Sequence, residues 1–565
     1  SAAVKREWIP VLSSSAELLA SSAACGAIAS YMLLFNGHWS AGSLYSHLNG
    51  LKGKLADIES ICSGDVDVDR GHQGHQGPAG RGLAAAEGLP STTCMRDGAF
   101  ELALAIATLD HKQATTSGLV AAAMDAVLSY EDAHGTGGAA VPKNNVGSDG
   151  NDQKHRPLSL SPSGIAACLR TLQVGAENDA DTLERMAARD GLAEALVAFL
   201  SPEFAAYTAA FYGPGDKRSI SVRDAARAAV LAIVQAPWVH GPMLCRDPDA
   251  VAKAFKRQLT AVMGGDPGST NLSALIPHVV RMLREADAGV VITTTGGANA
   301  ALTAAATTAT TTTTARTNDP SSAAGANAAI ATASGILPSC AAVLARMALA
   351  FGDEAVVAFA RSGGLDRAVL KNLLSDRNPD SMLGSSLLVV SQLARTATAK
   401  SQVERFLEAG IMPLIPPLLR HPTSSGVRAR ACNLLGNLCR HSDAAYPSIR
   451  ELGVLPPLVD LCEDGDQSTR KFACFAIGNA GFHSDYLYED LRPAVRTLVH
   501  LLQDEEDRTV ANAAGALGNL VRNSGELVPE MLACGAVEAL LGIVTRDGST
   551  LAGSTAFQIS LFSLG

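Results

Sequence analysis

Apolar residues recur every three or four positions through most of this chain, the period of a helix that buries one face. Segments 5–61, 96–132, 177–212, 220–236 and 248–287 carry that period, with Leu183, Met186, Leu192, Leu196 and Phe199 as one example. Between them lie stretches with no packable face. Residues 63–93 hold a Gly-His-Gln-Gly-His-Gln-Gly string, 134–157 are rich in Gly, Asn, Asp and Lys, and 289–335 contain an Ala/Thr tract with Thr310 to Thr314 unbroken. Such biased tracts behave as flexible loops or linkers.

Beyond residue 365 the pattern becomes a repeat. Leu-Leu-Gly-Asn-Leu at 434–438, Ala-Ile-Gly-Asn-Ala at 476–480 and Ala-Leu-Gly-Asn-Leu at 516–520 place Asn437, Asn479 and Asn519 at steps of 42 and 40 residues. Gln392 holds the same register 45 residues upstream, and Ser563 holds it 44 residues downstream. A second landmark keeps step: Gly364, Gly410, Gly453 and Gly535 each precede an apolar segment. Glycine stops one helix and the apolar run starts the next, as a helix-turn-helix unit requires. A period of roughly 40–47 residues belongs to stacked helical repeats. Four or five units fit between about 365 and 565.

Composition agrees with helices. The chain has 565 residues and 58.1 kDa, room for about three or four domains. Apolar residues make up 47% and mean hydropathy is +0.15, against wholesale disorder. Aromatics are only 4%, and the alanine-rich remainder suits close-packed helices better than sheets. A net charge of -10 gives no overall basic footprint for nucleic acid. The eleven cysteines are scattered and never spaced as Cys-x-x-Cys, so a reduced, cytoplasmic or cytoskeletal setting is expected. The most apolar stretch, Ala23 to Phe35, is too short for a membrane span. No cleavable leader opens the chain. It begins at Ser1 without an initiator Met, as an excised piece of a longer protein would.

Candidate chemistry is sparse. His72 and His75 sit in a Gly-rich tract with no carboxylate or cysteine at ligand spacing. Gly135, Gly137 and Ala140 match a nucleotide fingerprint, but no strand precedes them and no helix opens behind. Gly53-Lys54 is followed by Leu55 where a phosphate loop needs Ser or Thr. His-Arg-Asp and Asp-Phe-Gly strings are absent, so no kinase catalytic loop or metal site is present. The chain is expected to be non-catalytic, with no cofactor or metal of its own.

The asparagine row carries more. On the last helix of each unit, stacking brings Asn437, Asn479 and Asn519 into line with Gln392, and His441, His483 and Asn523 extend the face by one turn. Arg440 and Arg522 lie beside it. A primary amide offers two donors and an acceptor, so a ladder of them can hold the backbone of an extended peptide. Flanking Arg would pair with acidic or phosphorylated groups. Alternatively each Asn satisfies carbonyls of the neighbouring repeat, and both roles are compatible. Replacing all three by Ala is expected to abolish partner capture with helical content intact; unfolding instead would mark them as structural. Arg470-Lys471 with Arg428, Arg430 and Arg508 outline a basic stripe, but acidic residues outnumber basic ones over 401–565, as on a solvated face.

Arg470-Lys-Phe-Ala-Cys-Phe-Ala-Ile-Gly-Asn-Ala480, His483-Ser-Asp, Leu487-Tyr-Glu and Ala511-Asn-Ala-Ala-Gly-Ala-Leu-Gly-Asn-Leu-Val-Arg-Asn-Ser524 resemble the C-terminal armadillo repeats of Fused-type serine/threonine kinases, nearest the plant-like branch. The likeness is strongest over 467–565 and extends over 365–466. It implies a C-terminal region whose kinase domain, with its ATP and Mg, lies upstream. No catalytic residue carries over, because no position here matches one. It also implies protein partners of the kinesin or microtubule-assembly kind, in phragmoplast cytokinesis or construction of the ciliary central pair.

The expected fold is all-α: an armadillo/HEAT-type right-handed superhelical solenoid, degenerate toward the N-terminus. The expected organisation is a helical segment 1–62, a disordered insert 63–95, degenerate repeats 96–287 with a loop insert 134–157, an Ala/Thr linker 288–335 and armadillo repeats 336–565. The expected function is protein binding along the concave ladder, with no nucleic-acid or membrane partner. A free-standing armadillo scaffold without a kinase is the alternative. A peptide adaptor of the nuclear-import type would pair its ladder with regularly spaced tryptophans, whereas Trp8, Trp39 and Trp238 lie outside the regular repeats.

Overall fold

A computed structural model describes residues 97–134 in part, 160–264 except 214, 274–292, 320–545 and 554–564. Those residues form helices and connections, with no strand among them. The expected helical segment within 1–62, the inserts 63–95 and 134–157, the two His-rich and Gly-rich tracts, Gly53-Lys54 and the Ala23–Phe35 stretch fall outside them, apart from the last residue of the helix that ends at His134. The chain divides into two units. The first takes residues up to His278 with Asn318–Ile336, and the second takes Val279–Thr317 with Leu337–Gly565. A helix over Pro320–Phe351 begins inside the stretch read as an Ala/Thr linker, where alanine itself favours the helical backbone.

In the first unit, α1 (Leu119–His134) and α6 (Lys217–Val239) pack on α2 (Pro162–Asn178). The apolar period leaves α2 unmarked. Its buried face is built from Gly164, Ala166, Ala167, Cys168 and Thr171 as well as Ile165, Leu169 and Leu172, and small residues blur the contrast that periodicity relies on. Its start is nonetheless local chemistry: the Ser161 hydroxyl accepts from the Gly164 N–H, with Pro162 at the first helical position. The periodic stretch from Leu183 to Phe199 is broken into α3 (Ala180–Ala188) and α4 (Leu192–Ala198) by Gly191 at φ +79. All five apolar residues named there are buried. The helices α5 (Pro202–Tyr212) and α7 (Pro248–Val262) join them, and Gln258 on α7 donates to the last carbonyls of α3, Met186 at 3.2 Å and Ala187 at 2.9 Å. No single helix among the described residues is long and apolar enough to cross a membrane.

The second unit is a stack of three-helix repeats. Their helices are α8 (Asp353–Arg361), α9 (Arg367–Leu374) and α10 (Asp380–Thr396); then α11 (Lys400–Glu408), α12 (Ile415–Leu419) and α13 (Ser425–Cys439). They continue as α14 (Tyr446–Glu451), α15 (Leu455–Asp460) and α16 (Gln467–Ala480); α17 (Tyr488–Leu491), α18 (Ala494–Leu501) and α19 (Asp507–Asn519); and α20 (Val528–Ala533), α21 (Ala536–Thr545) and α22 (Thr555–Leu564). Successive third helices, from α10 through α13, α16 and α19 to α22, pack on one another. The glycine landmarks end first helices. Gly410, Gly453 and Gly535 have φ of +79, +58 and +74, and the first two close a Schellman turn, with Ile411 N–H on Phe406 and Val454 N–H on Ile449. In the earliest repeat the left-handed residue is Gly363, at φ +91, one before the landmark Gly364. The fold is thus an all-α superhelical solenoid of the armadillo type. The eight described cysteines are unpaired, and burial pushes the thiol of Cys439, between repeats, up to about 12.

Candidate protein-binding row

The three Gly-Asn strings sit at the C-terminal ends of α13, α16 and α19. Glycine is needed there because the next third helix arrives at contact distance. A Cβ on Gly436 would lie 2.5 Å from the Phe475 ring, and one on Gly478 would lie 3.3 Å from the Ala516 Cα. The last four carbonyls of a helix have no partner within it. Gly436 and Gly478 are among these, and the neighbouring asparagine supplies the missing donor: Asn479 Nδ2 to Gly436 O at 2.9 Å, and Asn519 Nδ2 to Gly478 O at 2.9 Å. Asn437 also reaches across to the preceding repeat, donating to the Ser391 carbonyl on α10 at 3.2 Å and to its hydroxyl at 3.0 Å. Asn437 is buried, while Asn479 and Asn519 are half-buried. The Oδ1 atoms of Asn479 and Asn519 have no hydrogen-bond partner among the described residues. The row therefore uses its amide nitrogens to join repeats and keeps two acceptors on its surface.

The flanking positions form a lip across three repeats. Exposed Arg440 offers its carbonyl to His483 Nε2 at 3.1 Å, and the Phe482 carbonyl accepts from Asn523 Nδ2 at 3.0 Å. The Arg522 guanidinium lies 4.5 Å from the Phe482 ring centroid. His441 is exposed beside Arg440; desolvation first, then the charges of Arg440 and His483, lower its pKa and favour the neutral ring. Gln392, in the same register on α10, accepts at its Oε1 from Arg395 Nε at 2.8 Å on that helix. The other eight expected residues, Asn437, Asn479, Asn519, Arg440, His441, His483, Arg522 and Asn523, are gathered at the ends of α13, α16 and α19.

Two tyrosines belong to the site and carry no role in the sequence reading. Tyr446 and Tyr488, both buried, open the first helices α14 and α17. Tyr446 Oη donates to Asn479 O at 2.6 Å and accepts from the His483 N–H at 3.2 Å. Tyr488 Oη donates to Asn519 O at 2.7 Å and accepts from the Asn523 N–H at 3.2 Å. Each hydroxyl thus fixes the turn after the asparagine, and burial raises the Tyr446 pKa so that it stays a donor. Their spacing of 42 residues, the step from Asn437 to Asn479, is the signal that marks them.

Three cations of the basic stripe are neutralised from within. Arg428 meets Asp464 at 2.8 Å, Arg470 meets Asp504 at 2.7 Å and Lys471 meets Glu506 at 3.4 Å, each across a repeat boundary. Arg430 and Arg508 have no such partner among the described residues. Burial alone would raise Asp464 and Asp504, but the hydrogen bonds and charges of Arg428 and Arg470, with a backbone N–H on each carboxylate, hold both below the usual range. No cluster of three or more His, Cys, Asp or Glu suited to a metal occurs among the described residues.

Stacked three-helix repeats of this kind are an armadillo-type fold, and the Armadillo/beta-catenin-like repeat model matches residues 493–522, which take in α18 and α19. The relatives are kinases of the Fused type. Serine/threonine-protein kinase TIO of Arabidopsis thaliana is 40% identical over 212 residues, covering 36% of this chain and 16% of the kinase. Serine/threonine-protein kinase 36 of Pongo abelii is 37% identical over 132 residues, covering 23% of this chain and 10% of that protein. The matches thus span under a fifth of either kinase. Among solved structures, an engineered protein superposes with a TM-score of 0.50 at 16% identity, covering 95% of this chain and 98% of its own, a likeness of fold alone.

Proposed function

We propose that this chain is the non-catalytic scaffold and targeting arm of a Fused-like serine/threonine kinase, and that the row at the ends of α13, α16 and α19 holds an extended segment of a protein partner. The observation that carries it is the 40% identity over 212 residues to the plant kinase TIO. The longer and closer match there than to the vertebrate kinase supports the plant-like branch. The partner class that follows from this resemblance is a kinesin-like protein or microtubule assembly, in cytokinesis or in the ciliary central pair, within the cytoplasm or cytoskeleton. ATP and Mg belong to the kinase domain, carried elsewhere on the polypeptide, and this region needs no cofactor.

The test is the size of the native protein, detected with an antibody raised against residues 401–565. A band several tens of kilodaltons above 58.1 kDa is expected. A native band at that mass would remove the kinase and leave a free-standing repeat scaffold.

A further inference from the structure

Several cations of the second unit are neutralised from within. Arg428, Arg450, Arg470, Lys471 and Arg492 each lie within 3.4 Å of a carboxylate oxygen. Arg440 and Arg522 differ: both are exposed, and neither has an ion-pair partner among the described residues. They share one register, three positions past Asn437 and Asn519, and the same position past Asn479 is Phe482. The lip therefore reads Arg, Phe, Arg along successive repeats. Arg522 already rests on the Phe482 ring, 4.5 Å from its centroid. A guanidinium resting on an aromatic face can still donate its N–H groups to a carboxylate. Beside it, Asn479 and Asn519 present unpartnered Oδ1 acceptors to an incoming backbone N–H.

We propose that Arg440 and Arg522, with Phe482 between them, make this row selective for an extended acidic peptide segment. The guanidinium groups pair with the segment's carboxylates, and the asparagine oxygens take its backbone. This rests on the row being a protein-binding surface and adds the charge of what it binds. Two exposed arginines on one lip, neither with an ion-pair partner among the described residues, make a docking surface complementary to negative charge.

The test is selection of a random 12-residue peptide display library on the immobilised 565-residue chain, in parallel with the Arg440→Ala/Arg522→Ala double variant at equal helicity. Peptides rich in Asp and Glu are expected from the wild type. The best of them, labelled, should bind the double variant about tenfold or more weakly by fluorescence anisotropy. Arg440→Lys with Arg522→Lys, which keeps the charge and loses the fork, should weaken binding by less. Enriched peptides with no acidic excess, or acidic ones that bind the alanine variant equally well, overturn the inference and leave the row a protein-binding surface. Tighter binding of a single-stranded oligonucleotide through the same arginines overturns it in favour of a general polyanion site. No enriched peptide at all overturns both this inference and the reading it rests on.

Discussion

Asn479 and Asn519 each perform two jobs with one amide. The nitrogen completes a helix-end carbonyl of the preceding repeat, and the oxygen faces outward. Asn479→Ala removes the only donor to Gly436 O from outside its own helix among the described residues and should cost about 1–3 kcal/mol in stability, read as a lower urea midpoint of the full chain. Asn479→Asp should cost more, because it sets a carboxylate against that carbonyl. Equal midpoints for wild type and both variants would show that the bond contributes nothing. The sequence makes these asparagines conspicuous by period, and the two roles considered for them are both chemically sound. It gives no way to see that glycine one position earlier is what lets the next helix arrive, since the close neighbours, Phe475 and Ala516, lie about 40 residues away. Tyr446 and Tyr488 are hidden for the same reason: a buried tyrosine looks like core until its hydroxyl finds the carbonyl 33 or 31 residues on.

Elements differ in how plainly they announce themselves. Third helices α13, α16 and α19 carry the Gly-Asn string, and the first helices α8, α11, α14 and α20 are followed by left-handed glycines, so the repeat of the second unit is legible. The short first helices, four residues in α17, are too brief for any period and surface only once the turns around them are placed. Neighbouring repeats are clamped at the other end of the third helix by Arg428–Asp464 and Arg470–Asp504, with carboxylates only 10% and 5% exposed. Both carboxyl pKa values lie below the ordinary aspartate value of about 3.9 in the folded chain. A depressed folded pKa stabilises above the unfolded value and is lost as pH falls through the folded one. Stability should therefore hold from neutral pH to about 4 and then fall steeply on further acidification. Asp464→Asn/Asp504→Asn should be less stable at pH 7 and show a shallower acid limb in urea midpoints at pH 7, 5, 4 and 3. Parallel limbs would show that these carboxylates do not drive acid unfolding.

At the scale of the molecule, stacked repeats stabilise one another through neighbours alone, which makes a long continuous surface inexpensive in sequence information. That surface is where the row lies, and the protein's action depends on three repeats presenting their asparagine ends together. Hydrogen–deuterium exchange of the 565-residue chain, free and saturated with a peptide enriched on it, tests this most directly. New protection is expected to concentrate at residues 437–441, 479–483 and 519–523, the turns that close α13, α16 and α19. Protection confined to other faces of the repeats or to the first unit, with those three turns exchanging as before, would contradict it.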